Sequence, residues 1–152
     1  MKILPVLLGL GLSLLLVGSV AAQEKVNISA DTFVVTESSQ EAVFTGNVVV
    51  NHPTVVVHAD KVVATYGAGG TSDIKTFEAT GHVRLTTSDQ DATGDRAVFT
   101  PSDQLLRLTG NVMVVNAGGT VGAGELVVNL ETKVSTFTSN KGGRVTGVFT
   151  SQ

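Results

Sequence analysis

The chain has 152 residues, with 10 basic and 13 acidic side chains, a formal charge of −3 and no cysteine. A weakly acidic protein with scattered Lys and Arg lacks the basic stripe that nucleic-acid binding needs. The missing thiols exclude a disulfide-stapled fold, thiolate metal ligands and a cysteine nucleophile.

Met1-Lys2 leads into an apolar run from Ile3 to Val17, then into small residues from Gly18 to Ala22. This is the layout of a secretory signal peptide, with cleavage expected near Ala22. An uncleaved anchor is the alternative. The run is about fifteen residues, short of the roughly 20 that span a bilayer, and Pro5, Gly9 and Gly11 weaken it as a helix. The expected organisation is a leader over 1–22 and one exported domain over 23–152. That domain of 130 residues carries a charge of −4, because Lys2 leaves with the leader. It is long enough to bury a core without disulfides.

The exported domain reads as strand after strand. Val26 to Ser29 alternates, and Phe33-Val34-Val35 comes after the acid Asp31. From Ala42 to Val50 the apolar residues fall at period two. Asn51-His52-Pro53-Thr54 is a turn by composition, and Val55, Val57 and Ala59 resume the alternation. After Tyr66 comes a flexible Gly-rich loop, Gly67 to Ser72. Further strands are expected over Thr76–Thr87, up to Phe99, from Leu106 to Val114, from Glu125 to Leu130 and from Val134 to Thr138. Helical periodicity with caps is absent throughout. The class is all-β.

Two landmarks repeat. Gly-x-Val occurs at Gly46, Gly81, Gly110 and Gly143; a small residue followed by an acid occurs at Asp31, Asp60, Asp95 and Glu125. From Gly to the following acid the distances are 14, 14 and 15 residues, and successive glycines are 35, 29 and 33 apart. Such a period marks stacked supersecondary units that cannot bury their apolar faces alone. Positions two before, two after and four after each glycine are Phe44/Val48/Val50, Ala79/Val83/Leu85 and Leu108/Val112/Val114, all apolar. With Val57 and Leu106 they are expected to line a continuous apolar interior, with Asn47, Arg84 and Asn111 facing outward. The fourth unit has Lys141, Val145 and Gly147 instead, as a terminal repeat would.

Catalytic chemistry does not declare itself. His52, His58 and His82 show no metal-ligand spacing, and the Gly67–Gly70 loop precedes no helix, so it is not a phosphate cradle. Ser and Thr have no partner base. The recurrent acids are expected to serve the repeat itself, at the starts of strands, by accepting backbone N–H bonds. The chain is expected to be no enzyme and to need no cofactor or metal.

Phe44-Thr45-Gly46-Asn47-Val48-Val49-Val50, His58-Ala59-Asp60-Lys61-Val62-Val63 and Leu108-Thr109-Gly110-Asn111-Val112 resemble the repeated signatures of the OstA/LptA family of periplasmic lipopolysaccharide-transport proteins. The tail from Thr136 to Thr146, with Lys141-Gly142-Gly143-Arg144-Val145, is also similar to the end of that domain. The resemblance implies a twisted, V-shaped β-jellyroll whose apolar interior takes the acyl chains of lipopolysaccharide: Phe44, Val48, Val50, Val57, Val83, Leu85, Leu106, Leu108, Val112 and Val114. It implies copies stacked head to tail as a homo-oligomer, between an inner-membrane LptC-type protein and an outer-membrane LptD-type protein. A roll of sheet that does not close has unpaired edges; here these are Val26 and Ile28 at the start, and Val145 and Val148 at the end. Two other functions remain open on the residues: a membrane-anchored LptC-type component of the same pathway, and a structural β-solenoid that binds no lipid.

Overall fold

The computed structural model describes residues 25–151, and the expected leader lies outside them. The described chain forms one antiparallel sheet of ten strands. They are β1 (Asn27–Ser29), β2 (Thr32–Thr36), β3 (Glu41–Asn51), β4 (Val56–Tyr66), β5 (Ile74–Thr86), β6 (Gln90–Thr100), β7 (Leu105–Asn116), β8 (Gly119–Asn129), β9 (Ser135–Thr138) and β10 (Thr146–Phe149). From β3 to β8 each strand pairs with the next in the chain, the simplest antiparallel topology. At one end both β1 and β2 pair with β3, and at the other both β9 and β10 pair with β8. The Gly-rich loop holds a single 3-10 turn, Gly70–Ser72.

Every long strand bends at its middle, and the repeated landmarks make the bends. On β3 the register against β4 shifts between Thr45 and Val48; the same shift occurs on β5 between Thr80 and Val83, and on β7 between Thr109 and Val112. Two residues there oppose one on the neighbouring strand, which is a β-bulge. Both bulge residues are left-handed: Gly46 and Asn47 at φ 85° and 47°, Gly81 and His82 at 78° and 48°, Gly110 and Asn111 at 81° and 48°. Glycine supplies the first because it has no Cβ to clash, and a short polar residue tolerates the second.

The acid completes the corner. Asn47 Nδ2 donates to Asp31 Oδ2 at 3.0 Å, His82 Nδ1 to Asp60 Oδ2 at 2.7 Å, and Asn111 Nδ2 to Asp95 Oδ2 at 3.2 Å. Each carboxylate also packs against the glycine of its bulge, in the space where a Cβ would stand. Asp31 stands at the start of β2, as expected, whereas Asp60 and Asp95 lie in the middle of β4 and β6. These three acids bind side-chain donors of a later strand, not backbone N–H groups of their own turn.

These corners lie side by side across the sheet and divide it into two leaves. The first leaf holds β2, the leading halves of β3, β5 and β7, the trailing halves of β4, β6 and β8, and β9. The second holds β1, the other halves of those strands, and β10. Folding one leaf over the other buries the apolar faces between them. Val48, Val57, Val83, Leu85, Ala92, Val112 and Val114 come from the second leaf; Val62, Ala79, Ala97, Leu106, Leu108 and Leu126 come from the first. Among the described residues no polar or charged side chain is buried.

The fourth repeat departs from the others. Gly142, not Gly143, takes the left-handed conformation, at φ 82°. Residues 139–145 leave the ladder between β9 and β10, and Asn140 packs against Gly124 where a Cβ would stand. Glu125, one carbon longer than the other acids, turns away to accept from Arg107 at 2.7 Å.

Candidate functional site: the apolar interior between the leaves

The ten residues expected to line the interior all face it. Val48, Val83, Leu108, Val112 and Val114 are no more than 2% exposed, Val57, Leu85 and Leu106 are buried, and Phe44 and Val50 pack against this core from its margin. The expectation omitted half of the lining. Val62, Ala64 and Tyr66 on β4, Ala97 on β6 and Leu126 on β8 also face inward.

The omission has a definite cause. Bulged strands keep their parity through the corner: Phe44 and Val48 are both inside. The intervening strands slip by one residue at the acid, so Val57 and Ala59 face inward before Asp60, and Val62 and Ala64 after it. A period-two reading carried through Asp60 assigns the second half of β4 to the wrong face. The short apolar pairs after each acid, Val62-Val63 and Ala97-Val98, are the one signal that could have revealed the slip.

An aromatic group marks the free margin of the interior, opposite the corners. Phe77 on β5 and Phe99 on β6 stack with ring centroids 6.4 Å apart. His52, in the turn between β3 and β4, meets Phe99 edge-on at 6.1 Å. Its ring is held by its own turn: the Thr54 N–H donates to His52 Nδ1 at 3.3 Å, and the Thr54 hydroxyl lies 2.9 Å from the same nitrogen. The space behind these rings is about 50 Å³, lined by Val50, Val57, Val62, Ala79, Ala97 and Leu106 among others. In front of them a cavity of about 690 Å³ opens, with Thr54, Ser72, Pro101, Gln104 and Glu131 on its rim.

The two ends of the roll expose the inner face. Phe33 stacks on Phe44 at 4.5 Å yet is 55% exposed, because no strand lies beyond β2. At the other end Phe149 is 73% exposed, and it borders a space of about 440 Å³ with Val114, Val121, Phe137 and Val145. Of the expected edge residues, Ile28 lies in β1 and Val148 in β10, whereas Val26 and Val145 immediately precede those strands.

The outer face carries paired charges. Arg96 binds Glu78 through two hydrogen bonds of 2.9 and 3.0 Å, and Arg84 binds Asp91 at 3.0 Å. The Arg96 guanidinium holds the Glu78 carboxyl below its ordinary range, as Arg84, with help from Thr86, does for Asp91. Half-exposed pairs of this kind contribute little to stability, because water screens them. Their role is a soluble exterior around an apolar interior. Among the described residues no cluster of His, Asp and Glu could hold a metal ion, and no helix is long and apolar enough to cross a membrane.

Residues 27–134 match the family described as LptA/(LptD N-terminal domain) LPS transport protein. The chain belongs to this family. The match runs from β1 through β8 and covers all three bulged corners. A relative in Rhizobium meliloti (strain 1021), the uncharacterized protein R00383, is 30% identical over 116 residues, which is 72% of this chain and 62% of that protein. The chain thus spans only part of the length of that relative. Among solved structures, it is similar to LptH, the LptA homologous periplasmic component of the conserved lipopolysaccharide transport device from Pseudomonas aeruginosa. The TM-score is 0.71 at 15% identity, over 84% of this chain and 96% of that one. At this identity the likeness bears on the fold: an LptA-type β-jellyroll, here an unclosed antiparallel roll.

Proposed function

We propose that this LptA-family chain is a periplasmic carrier that binds lipopolysaccharide by its acyl chains between the two leaves and passes it toward the outer membrane. One observation carries this reading: the interior is lined by apolar side chains from both leaves, and it continues to uncovered ends at Phe33 and Phe149. Each buried CH₂ of an acyl chain gains roughly 0.8 kcal/mol, so a long apolar channel suits a lipid with several chains better than a polar cleft would. Family membership supports the transport role. Uncovered inner faces at both ends fit head-to-tail copies, and equally an LptC-type partner at one end and an LptD-type partner at the other. Among the described residues no catalytic group is evident, and on this reading the work of moving lipid falls to a partner. A leader removed near Ala22 would deliver residues 23–152 to the periplasm as one domain.

Photoreactive residues test the proposal directly. Placed at Phe44, Val50, Leu106 or Phe99, they are expected to crosslink lipopolysaccharide, while those at Asn47 and Asn111 on the outer side of the corners are not. Equal labelling of the two faces would remove the carrier reading.

A further inference from the structure

The interior as it stands offers its proposed cargo little room: about 50 Å³ behind the aromatic group, and a half-open space of about 510 Å³ against Leu85, Leu106 and Leu126. Pockets that take one small organic ligand measure about 300–1,000 Å³, and a lipid with several acyl chains needs more than that. Lipid must therefore separate the leaves. They cannot part at the corners, where covalent backbone runs from one leaf to the other in every long strand. They can part only along the margin where the hairpin turns face each other.

At that margin five residues border both the smaller space and the open cavity in front of it. Val26 and His52 belong to the second leaf; Phe77, Phe99 and Leu130 belong to the first. They form the wall between the two spaces, and His52 is the one polar residue among them. The edge-on contact of His52 with Phe99 crosses from leaf to leaf, and Thr54 fixes the angle of the imidazole. Phe77 backs Phe99 from the same leaf.

We infer that the His52–Phe99 contact is a latch that holds the two leaves closed, and that acyl chains enter by displacing it from the cavity side. The inference rests on the carrier reading and adds the route and the gating residues. A ligand shifts an equilibrium only toward the state it binds better. Acyl chains fit only the parted state, so the latch sets how readily that state is reached.

The absence of native cysteine allows the leaves to be tied at chosen points. Pro53, in the turn after β3, and Lys133, after β8, are exposed and line one further space of about 510 Å³, which shares Thr54 and Leu130 with the cavity in front of the aromatic group. In a Pro53→Cys/Lys133→Cys protein, a reducible bis-thiol bridge is expected to lower binding of fluorescent lipopolysaccharide at least tenfold. Cleaving the bridge should restore it, which separates closure from misfolding. Separately, His52→Ala is expected to take up the same probe about two- to tenfold faster in stopped flow, the range set by one edge-on aromatic contact. Undiminished binding to the bridged protein would overturn the latch while leaving the carrier reading in place, as would an unchanged uptake rate in folded His52→Ala. Failure of the unbridged parent to bind the probe would instead remove the carrier reading, and the latch with it.

Discussion

At the level of single residues, the corners show how one side chain can serve three purposes. Asp60 fills the space beside Gly81, orients the bulge by bonding His82, and leaves the inner face to Ala59 and Val62. Gly81→Ala is expected to destabilise the protein by about 1–2 kcal/mol for the left-handed backbone alone, with more added because the new Cβ would displace the Asp60 carboxylate. Denaturant unfolding measures this, and Gly118→Ala, in an open turn, is the control that should cost less. His82 stands where the other two corners have Asn, which makes this corner sensitive to pH. The hydrogen bond that His82 donates to Asp60 raises the His82 pKa above its ordinary 6.5. A raised folded-state pKa contributes stability that is complete below the unfolded value and is lost as pH rises through the folded value. The melting temperature of the parent relative to His82→Asn should therefore be higher at about pH 5.5 than at about pH 8.5. The contribution is small because both side chains are well exposed. A difference that grows with pH would contradict it.

Among the strands, the two edges are the elements with unfinished hydrogen bonding. The Thr150 N–H donates to the Gly118 carbonyl at 3.0 Å. Donors on one side of an antiparallel strand recur at every second residue, so the Val148 N–H also faces β8, while those of Gly147 and Phe149 face the free edge. Proline at Val148 would break the roll's own ladder; proline at Phe149 would remove a donor only from the side where another copy could add a strand. Phe149→Pro is thus expected to remain folded by circular dichroism and to lose concentration-dependent oligomers in sedimentation. Oligomers that persist would place the contact at side chains or elsewhere on the roll. In the middle of the sheet a different rule holds, because Leu108 is 1% exposed and joined on both sides by paired strands. Leu108→Ala should cost about 2–5 kcal/mol, as cavity-forming changes in packed cores do.

Taken whole, the molecule is a sheet with one fixed fold line and one free margin. Three bulges with left-handed residues fix the line, and turns facing each other across the aromatic group make the margin. Motion should follow that asymmetry. Backbone amides near Gly46, Gly81 and Gly110 are expected to keep their hydrogen-exchange protection when lipopolysaccharide is added, while those of the turns around His52–Val55 and Thr100–Gln104 should lose some of theirs. Increased exchange at the corners with no change at the turns would mean that the roll opens by unfolding its fold line. The apolar ends at Phe33 and Phe149 belong to the same picture: an interior closed along its fold line and uncovered at its two mouths.

The sequence by itself determined the class, the repeat and half of the interior. Period-two alternation in Phe44, Val48 and Val50 or in Leu108, Val112 and Val114 can be met only by a strand with one buried face, and Gly-x-Val at a near-constant period can be met only by stacked copies of one unit. It also contained the corner acids, though not their partners. Asp60 lies 14 residues after Gly46 but bonds the bulge that begins at Gly81, 21 residues further on. Only the three-dimensional pairing could decide that, since a carboxylate reaches whichever neighbour the sheet register places beside it. The parity slip on β4, β6 and β8 was largely hidden for the same reason: it arises where a strand must turn opposite a bulge on its neighbour, and within the strand only the short apolar pairs Val62-Val63 and Ala97-Val98 hint at it. The meeting of His52 with Phe99, 47 residues apart in sequence, was likewise settled by folding one leaf over the other, which brings the turn after β3 against the end of β6.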